Sequence, residues 1–225
     1  MSEHINKKGA AKAEETLQTS ETFLMKNKNK IIGAIVALCV IVGGYFCYQH
    51  FVVQPNEQKA SEALFKGEHY LSMDNYELAL NGDSTGYMGF AKIAEKFSST
   101  KAGNLANAYA GICNAHLGKF EEAKKYLENF EAKDELVAPA IMAALGNTYA
   151  QLGENDKAIA FLLKAADKAD SQALSPIYLI QAGELLEKQG KNTEAIEAYK
   201  KVKEKYFNTY QAMEIDKYIE RASTK

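Results

Sequence analysis

The fold is decided by PAIMAALGNTYAQLGENDKAIAFLLKA, residues 139–165, because its pattern occurs three times in the chain. The other two copies are NLANAYAGICNAHLGKFEEAKKYLENF (104–130) and PIYLIQAGELLEKQGKNTEAIEAYKKV (176–202). The three segments align without gaps. Self-similarity at a period of roughly 20 to 50 residues is typical of proteins built from stacked repeats. The chain is therefore predicted to be a helical-repeat protein.

Each copy places small residues at matching positions. The paired positions are Gly111 with Ala123, Gly146 with Ala158, and Gly183 with Ala195. Small residues on two facing helices let the helices cross closely, so each copy is predicted to be a hairpin of two helices packed at this pair. A second set of glycines, Gly118, Gly153 and Gly190, is predicted to close each first helix in the left-handed conformation. Because one hairpin cannot bury its own faces, neighbouring hairpins are expected to stack.

A less regular hairpin is predicted at about 57–97, before the three copies. Residues 57–80 are expected to form one long helix and 86–97 its partner. Gly86 would occupy the small-residue position and Phe90 the large one.

The C-terminal end of the stack is predicted to be a capping helix, 210–222. Asn208 or Thr209 would cap its N-terminus. A terminal helix with a polar outer face keeps the end of a solenoid soluble.

An apolar segment precedes the repeats. Residues 31–53 contain no Asp, Glu, Lys or Arg, and a helix of this length reaches about 34 Å, which is enough to cross a bilayer. A cleaved signal peptide would have a shorter apolar run and a small-residue cleavage site. This run is longer and ends in bulky residues, so an uncleaved transmembrane anchor is predicted.

The lysines around the anchor predict its orientation. Lys26, Lys28 and Lys30 lie directly before it, whereas the first 20 residues after it contain only Lys59 and Lys66. The positive-inside rule therefore places residues 1–30 in the cytoplasm as a short tail and 54–225 on the other side of the membrane.

Composition excludes several classes of function. The net charge of −2 argues against a nucleic-acid-binding protein. Arg221 is the only arginine, which makes a guanidinium-based phosphate or carboxylate site for a ligand unexpected. None of the four histidines has a second ligand at metal-binding spacing, and no catalytic motif is present. The chain is therefore predicted to have no catalytic residue, no metal and no cofactor, and not to be an enzyme.

The repeat resembles the tetratricopeptide repeat, a helix–turn–helix unit of about 34 residues. The second copy carries the resemblance most fully, with these residues at the positions of the pattern: Leu145, Gly146, Tyr149, Gly153, Ala158, Leu162 and Ala165. The resemblance implies a tetratricopeptide-repeat α-solenoid, so together with the predicted N-terminal transmembrane helix the chain is expected to be all-α.

The whole layout is similar to that of the YfgM-like family of ancillary SecYEG translocon subunits. That resemblance implies an inner-membrane protein whose repeat domain lies in the periplasm. It also implies protein partners, namely translocon subunits, periplasmic chaperones or exported chains. The resulting hypothesis is a membrane-anchored scaffold beside the protein-export translocon. The alternative is an adaptor for envelope assembly, or for cell division and peptidoglycan synthesis.

In such a repeat the first helix of each hairpin lines the concave face. The predicted partner-binding groove consists of Leu105, Ile112, His116, Asn147, Gln151, Ile177, Ile180 and Glu184, and Glu187 and Lys188 extend its charged end. An extended or helical polypeptide would suit this groove. In the alternative interpretation, part of the face is filled by the chain's own helix 57–75 or by its C-terminal helix.

Overall fold

The computed structural model describes residues 2–132 and 135–224, with side chains from residue 25 onward. Its described residues form helices and connecting turns, without strands. The helices are α1 (Ser2–Tyr48), α2 (Gln54–Ser72), α3 (Tyr76–Asn81), α4 (Phe90–Lys96), α5 (Lys101–His116), α6 (Phe120–Glu128), α7 (Ala138–Gln151), α8 (Asn155–Ala169), α9 (Ser175–Lys188), α10 (Asn192–Lys205) and α11 (Tyr210–Ser223). A π-helical segment, Gln49–Val53, follows α1. The all-α prediction is confirmed.

The chain forms two compact units, Met1–Pro55 and Asn56–Lys225. The first contains the apolar segment, which lies in a helical stretch, Met25–Ser72, with a peak mean hydropathy of 2.3 and no burial in that window. Large side chains such as Val40, Ile41 and Phe46 are more than half exposed. Such a surface is unfavourable in water, and the helix is long and apolar enough to cross a membrane.

The three sequence copies form three helical hairpins, α5–α6, α7–α8 and α9–α10. Gly118, Gly153 and Gly190 follow the first helix of each hairpin with φ of 74°, 79° and 72°. This left-handed conformation favours glycine, and it turns the chain into the second helix. Pro139 and Pro176 lie in the first turns of α7 and α9, where their missing N–H groups are not needed.

The glycines at the crossings meet larger side chains more closely than they meet the matching alanines. A Cβ on Gly111 would lie 2.5 Å from Leu127 Cγ and 3.2 Å from the carbonyl oxygen of Ala123. A Cβ on Gly146 would lie 3.0 Å from Leu162 Cγ and 3.1 Å from the Ala158 oxygen. The first helix therefore rests on the large residue one turn beyond the alanine, as well as on the alanine's backbone.

The first hairpin differs from its prediction. No continuous helix spans 57–80, because α2 ends at Ser72 and α3 begins at Tyr76. Asp74 adopts a left-handed φ of 55°, the conformation that glycine adopts in the other hairpins. Asn75 then caps α3 by accepting a hydrogen bond from the Leu78 N–H. The expected long helix is wrong because these two short polar residues end one helix and start the next.

Gly86 is not the small residue of this hairpin. It lies in a loop with φ of 106°, and a Cβ there would have open space around it. The predicted partner helix 86–97 is reduced to α4, and Phe90 begins it. The close crossing is made by Gly67, whose added Cβ would lie 2.6 Å from Phe90 Cζ.

The loop between α3 and α4 is held by Asp83. Its carboxylate accepts hydrogen bonds from the Tyr70 hydroxyl at 2.5 Å and from the N–H groups of Thr85 and Tyr87 at 2.8 and 2.9 Å. These donors hold the pKa of Asp83 well below its usual range, with the Tyr70 hydrogen bond the largest cause. The loop is therefore a fixed part of the first hairpin.

The C-terminal helix α11 closes the stack against α10 and α9. Thr209 Oγ1 caps it by accepting from the Ala212 N–H at 3.2 Å. Ile215 and Ala222 are buried on its inner side. The helix runs one residue beyond the range 210–222 expected from sequence.

Candidate functional site

The predicted partner-binding groove is carried by α5, α7 and α9, the first helices of the three regular hairpins. Its apolar residues are only partly covered: Leu105, Ile112 and Ile180 are half-buried beside the core, and 38% of Ile177 is exposed. Partial exposure of apolar side chains on a rigid helix is the property that a polypeptide-binding surface requires.

The polar residues of the groove differ in what they contact. The side chains of Asn147 and Gln151 are exposed on α7 and have no hydrogen-bond partner among the residues that the structure describes. Glu184 is half-buried on α9. His116 is exposed at the end of α5, but its ring stacks on Tyr76 at a centroid distance of 4.2 Å and an interplanar angle of 4°. The predicted groove residues thus include two free side-chain amides and a histidine stacked on a tyrosine.

Glu187 does not belong to the exposed charged end that the sequence predicts. Its side chain is only 3% exposed, and it accepts hydrogen bonds from Arg221 Nη2 at 2.6 Å and Nε at 3.1 Å. The Tyr199 hydroxyl donates to it at 2.7 Å. The only arginine of the chain, which is itself partly exposed, therefore fastens α11 to the buried Glu187 of α9. Sequence reasoning missed this pair because no local pattern links residues so distant in the chain.

The structure also bears on the alternative that the chain fills its own groove. Helix α11 covers the predicted face at Glu187 through Arg221, whereas Ile177 and Glu184 on the same helix stay at least partly accessible. Helix α2 packs beside α5, where the Tyr109 hydroxyl donates to Glu68 at 2.9 Å. Helix α11 thus covers the predicted face at Glu187, and α2 contributes Ala60 and Leu64 to the core cluster against which Leu105 packs.

Hydrogen bonds between tyrosines and carboxylates join neighbouring helices. Tyr109 bonds to Glu68, and Tyr149 bonds to Glu128. Burial and these carboxylates raise the pKa of both phenols to about 12. These hydrogen bonds stiffen the surfaces that the stack presents.

A cavity of about 1190 Å³ lies between the N-terminal parts of α2 and α5 and the C-terminal end of α6. It is called the α2–α6 cavity below. Leu105 is the one residue of the predicted groove that lines it. Sequence reasoning missed the cavity because it depends on how α4 leads into α5 beside the start of α2.

The described residues contain no group of three or more His, Cys, Asp or Glu placed to hold a metal ion. Cys113 is buried in the core, and burial raises the pKa of its thiol to about 12. A protonated, buried thiol is a packing group rather than a nucleophile.

The chain matches the model of a known family. A family model described as a tetratricopeptide repeat-like domain matches residues 21–216. The matched range includes both the apolar segment 31–53 and the three regular hairpins. No curated protein matches the chain.

Proposed function

The chain belongs to the tetratricopeptide repeat-like domain family, and we propose that it is a membrane-anchored scaffold that binds other proteins rather than an enzyme. The observation that carries this proposal is the surface of α5, α7 and α9. It combines half-buried apolar side chains with the free amides of Asn147 and Gln151. Such a surface suits an extended or helical polypeptide segment.

The anchor gives the scaffold its mechanism. A helix that crosses the membrane confines the repeat domain to a layer next to it, so a second contact with a neighbouring membrane complex becomes intramolecular. The effective concentration for such a contact reaches the millimolar range for short linkers. A surface with low intrinsic affinity can then recruit a partner without a large interface.

We further propose that the host complex is the inner-membrane protein-export translocon, with the repeat domain in the periplasm. Two features support this choice. Lys26, Lys28 and Lys30 precede the anchor and favour a cytoplasmic N-terminus. The layout also resembles that of the ancillary translocon subunits. Periplasmic chaperones or newly exported chains would then occupy the groove.

Site-specific photo-crosslinking in the native membrane, followed by mass spectrometry, tests both levels of the proposal. Probes at Ile112 and Ile177 report on the groove, and a probe at His50 reports on the end of the anchor. Matched control probes belong at Lys164 and Lys200, which are exposed on the second helices α8 and α10.

We expect translocon subunits to be captured at His50, and chaperones or exported chains at Ile112 and Ile177. Capture of partners by the control probes alone would overturn the proposal that the groove binds them. Capture of division or peptidoglycan-synthesis proteins in place of translocon subunits would replace the host complex with the adaptor alternative, while the scaffold role would stand.

A further inference from the structure

A second, smaller pocket lies against the side of α2 that faces away from the α2–α6 cavity. Its volume is about 290 Å³, and it is bounded by α2, by residues 86–88 of the loop and by the C-terminal end of α4. Helix α2 contributes Lys59, Glu62, Ala63 and Lys66. These positions recur every three or four residues, so they share one side of the helix. It is called the lysine pocket below.

The lining of the lysine pocket carries an excess of positive charge. Lys59, Lys66 and Lys96 are exposed, and none of them forms an ion pair with another residue that the structure describes. Among the described lining residues, Glu62 is the one acidic side chain. Glu95, the neighbour of Lys96 in the sequence, lines the α2–α6 cavity instead. Three ammonium groups therefore accompany one carboxylate, and this imbalance favours an anionic partner.

The arrangement of the lysines suits a charged surface better than a single small anion. Lys59 and Lys66 are seven residues apart on α2, which separates them by about 10 Å along the helix axis. The Lys96 ammonium lies 5.4 Å from the centroid of the Phe97 ring, at the other wall of the pocket. The pocket is also smaller than the roughly 300–1,000 Å³ of typical small-molecule sites. The positive charge is thus spread over a surface.

The length of the chain keeps this surface close to the membrane. Lys59 lies six residues beyond Val53, the last residue of the apolar segment. Even a fully extended chain spans only about 21 Å over six residues, so Lys59 stays within that distance of the end of the anchor. Phe65, next to Lys66, is 74% exposed on α2. Exposed aromatic and apolar side chains beside lysines are typical of helices that bind a membrane surface.

We propose that the lysine pocket docks the repeat domain on anionic phospholipid headgroups of the membrane that the anchor crosses, with Phe65 entering the interface beside them. A lysine close to an anionic membrane surface raises the binding constant about fivefold, so three lysines raise it about a hundredfold. Because the anchor tethers the domain, this attraction acts within one molecule and needs no higher affinity. The inference rests on the membrane anchor of the proposed function and is independent of what the groove binds.

Fluorescence quenching in nanodiscs tests the proposal on the full-length protein. The phosphatidylcholine of the nanodiscs carries brominated acyl chains, which quench a fluorophore that enters the lipid, and phosphatidylglycerol is either present or absent. A fluorescent aromatic amino acid replaces Phe65. We expect strong quenching only with phosphatidylglycerol, and less quenching as salt is added. The same fluorophore at Phe207, an equally exposed aromatic position between α10 and α11, should not respond to phosphatidylglycerol.

The decisive variant is the double charge reversal Lys59→Glu with Lys66→Glu. It should lower the docking constant by at least about tenfold, since two attractive charges become repulsive. Its matched control is Lys164→Glu with Lys168→Glu, which reverses two exposed lysines of α8 outside the pocket and should leave docking unchanged. Circular dichroism checks that both variants keep the wild-type helix content.

Equal quenching with and without phosphatidylglycerol, or equal effects of the two double variants, would overturn the docking. Loss of quenching on addition of inorganic phosphate at constant ionic strength would also overturn it, because the pocket would then take free phosphate rather than a lipid headgroup. Protein that does not enter the nanodiscs would remove the anchor and the docking together. Protein that enters them without quenching that depends on phosphatidylglycerol would remove the docking alone and leave the scaffold standing.

Discussion

Alanine at Gly183 should destabilise the stack, whereas alanine at the equivalent Gly146 should change its stability little. In both helices alanine gains about 1 kcal/mol of helix propensity over glycine. At Gly146 the new Cβ would lie 3.0 Å from Leu162 Cγ and 3.1 Å from the Ala158 oxygen, contacts that are tight enough to offset this gain but that a shift of a few tenths of an ångström relieves. At Gly183 it would lie 2.6 Å from Tyr199 Cζ, with two more ring carbons at 3.0 Å or less.

The Tyr199 ring cannot move away. It is fully buried, and its hydroxyl is bonded to Glu187, which Arg221 holds in turn. Overpacking of a fixed core typically costs about 1–3 kcal/mol, and three ring carbons at 3.0 Å or less from the new Cβ place Gly183→Ala at the upper end of that range. Less the helix-propensity gain of about 1 kcal/mol, the variant is expected to lose about 2 kcal/mol net. In a domain of this size that loss lowers the melting temperature by about 4–8 °C.

Thermal unfolding of the full chain in detergent, followed by near-ultraviolet circular dichroism of the tyrosines, measures the effect. Hydrogen exchange should also rise in α9 and α10 first, because a stacked repeat loosens locally. Leucine is the residue that the other two hairpins have in place of Tyr199. Gly183→Ala combined with Tyr199→Leu should therefore lose less than the sum of the two single losses. Equal melting temperatures for Gly183→Ala and Gly146→Ala would refute this reasoning.

Three further outcomes are expected. The pKa values of Tyr109 and Tyr149 are raised from 10.0 to about 12, so their neutral forms stabilise the fold fully below pH 10, and this stabilisation is lost as the pH rises through about 12. In an absorbance titration, tyrosinate should form at these two residues at a higher pH than in free tyrosine. A normal titration of both phenols would contradict this. Arg221→Ala should lower the free energy of unfolding by about 1–3 kcal/mol and speed hydrogen exchange in α11, because buried Glu187 loses the guanidinium that pairs with it. Arg221→Lys should lose less. Unaltered exchange in α11 would show that this ion pair does not hold the helix. Ala158→Leu should cost about 1–3 kcal/mol in the melting experiment, since Ala158 is fully buried at the α7–α8 crossing, and an unchanged melting temperature would contradict that packing.

The regular hairpins were predictable because their signals are local and repeated. Each hairpin needs a glycine in the left-handed turn and a glycine where the two helices cross, and the sequence has both glycines in all three copies. The prediction was wrong only about the nearest neighbour of each crossing glycine, which is the large residue one turn beyond the matching alanine. That neighbour depends on the tilt of the two helices, which a pattern of residue types does not specify.

The first hairpin was mispredicted because the same requirements are met there by different residues. Gly67 and Ala79 have the separation of Gly111 and Ala123, and Asp74 has the place of Gly118. Asp74 tolerates a left-handed φ, as Asp and Asn do more readily than other non-glycine residues. Aligning on Gly67 rather than Gly86 would have found the break between α2 and α3.

The α2–α6 cavity follows from that same departure. In the regular hairpins the large residue at the crossing is Leu127, Leu162 or Tyr199, and the second helix continues past it. In the first hairpin the equivalent position is Asp83, a loop residue, and α3 ends at Asn81. Phe90 of α4 fills the crossing instead, so α4 and the turn that leads into α5 take the place of a continued second helix. Ala91, Lys92 and Lys101 thereby reach the cavity wall, which a repeat that kept its second helix intact would build from that helix instead.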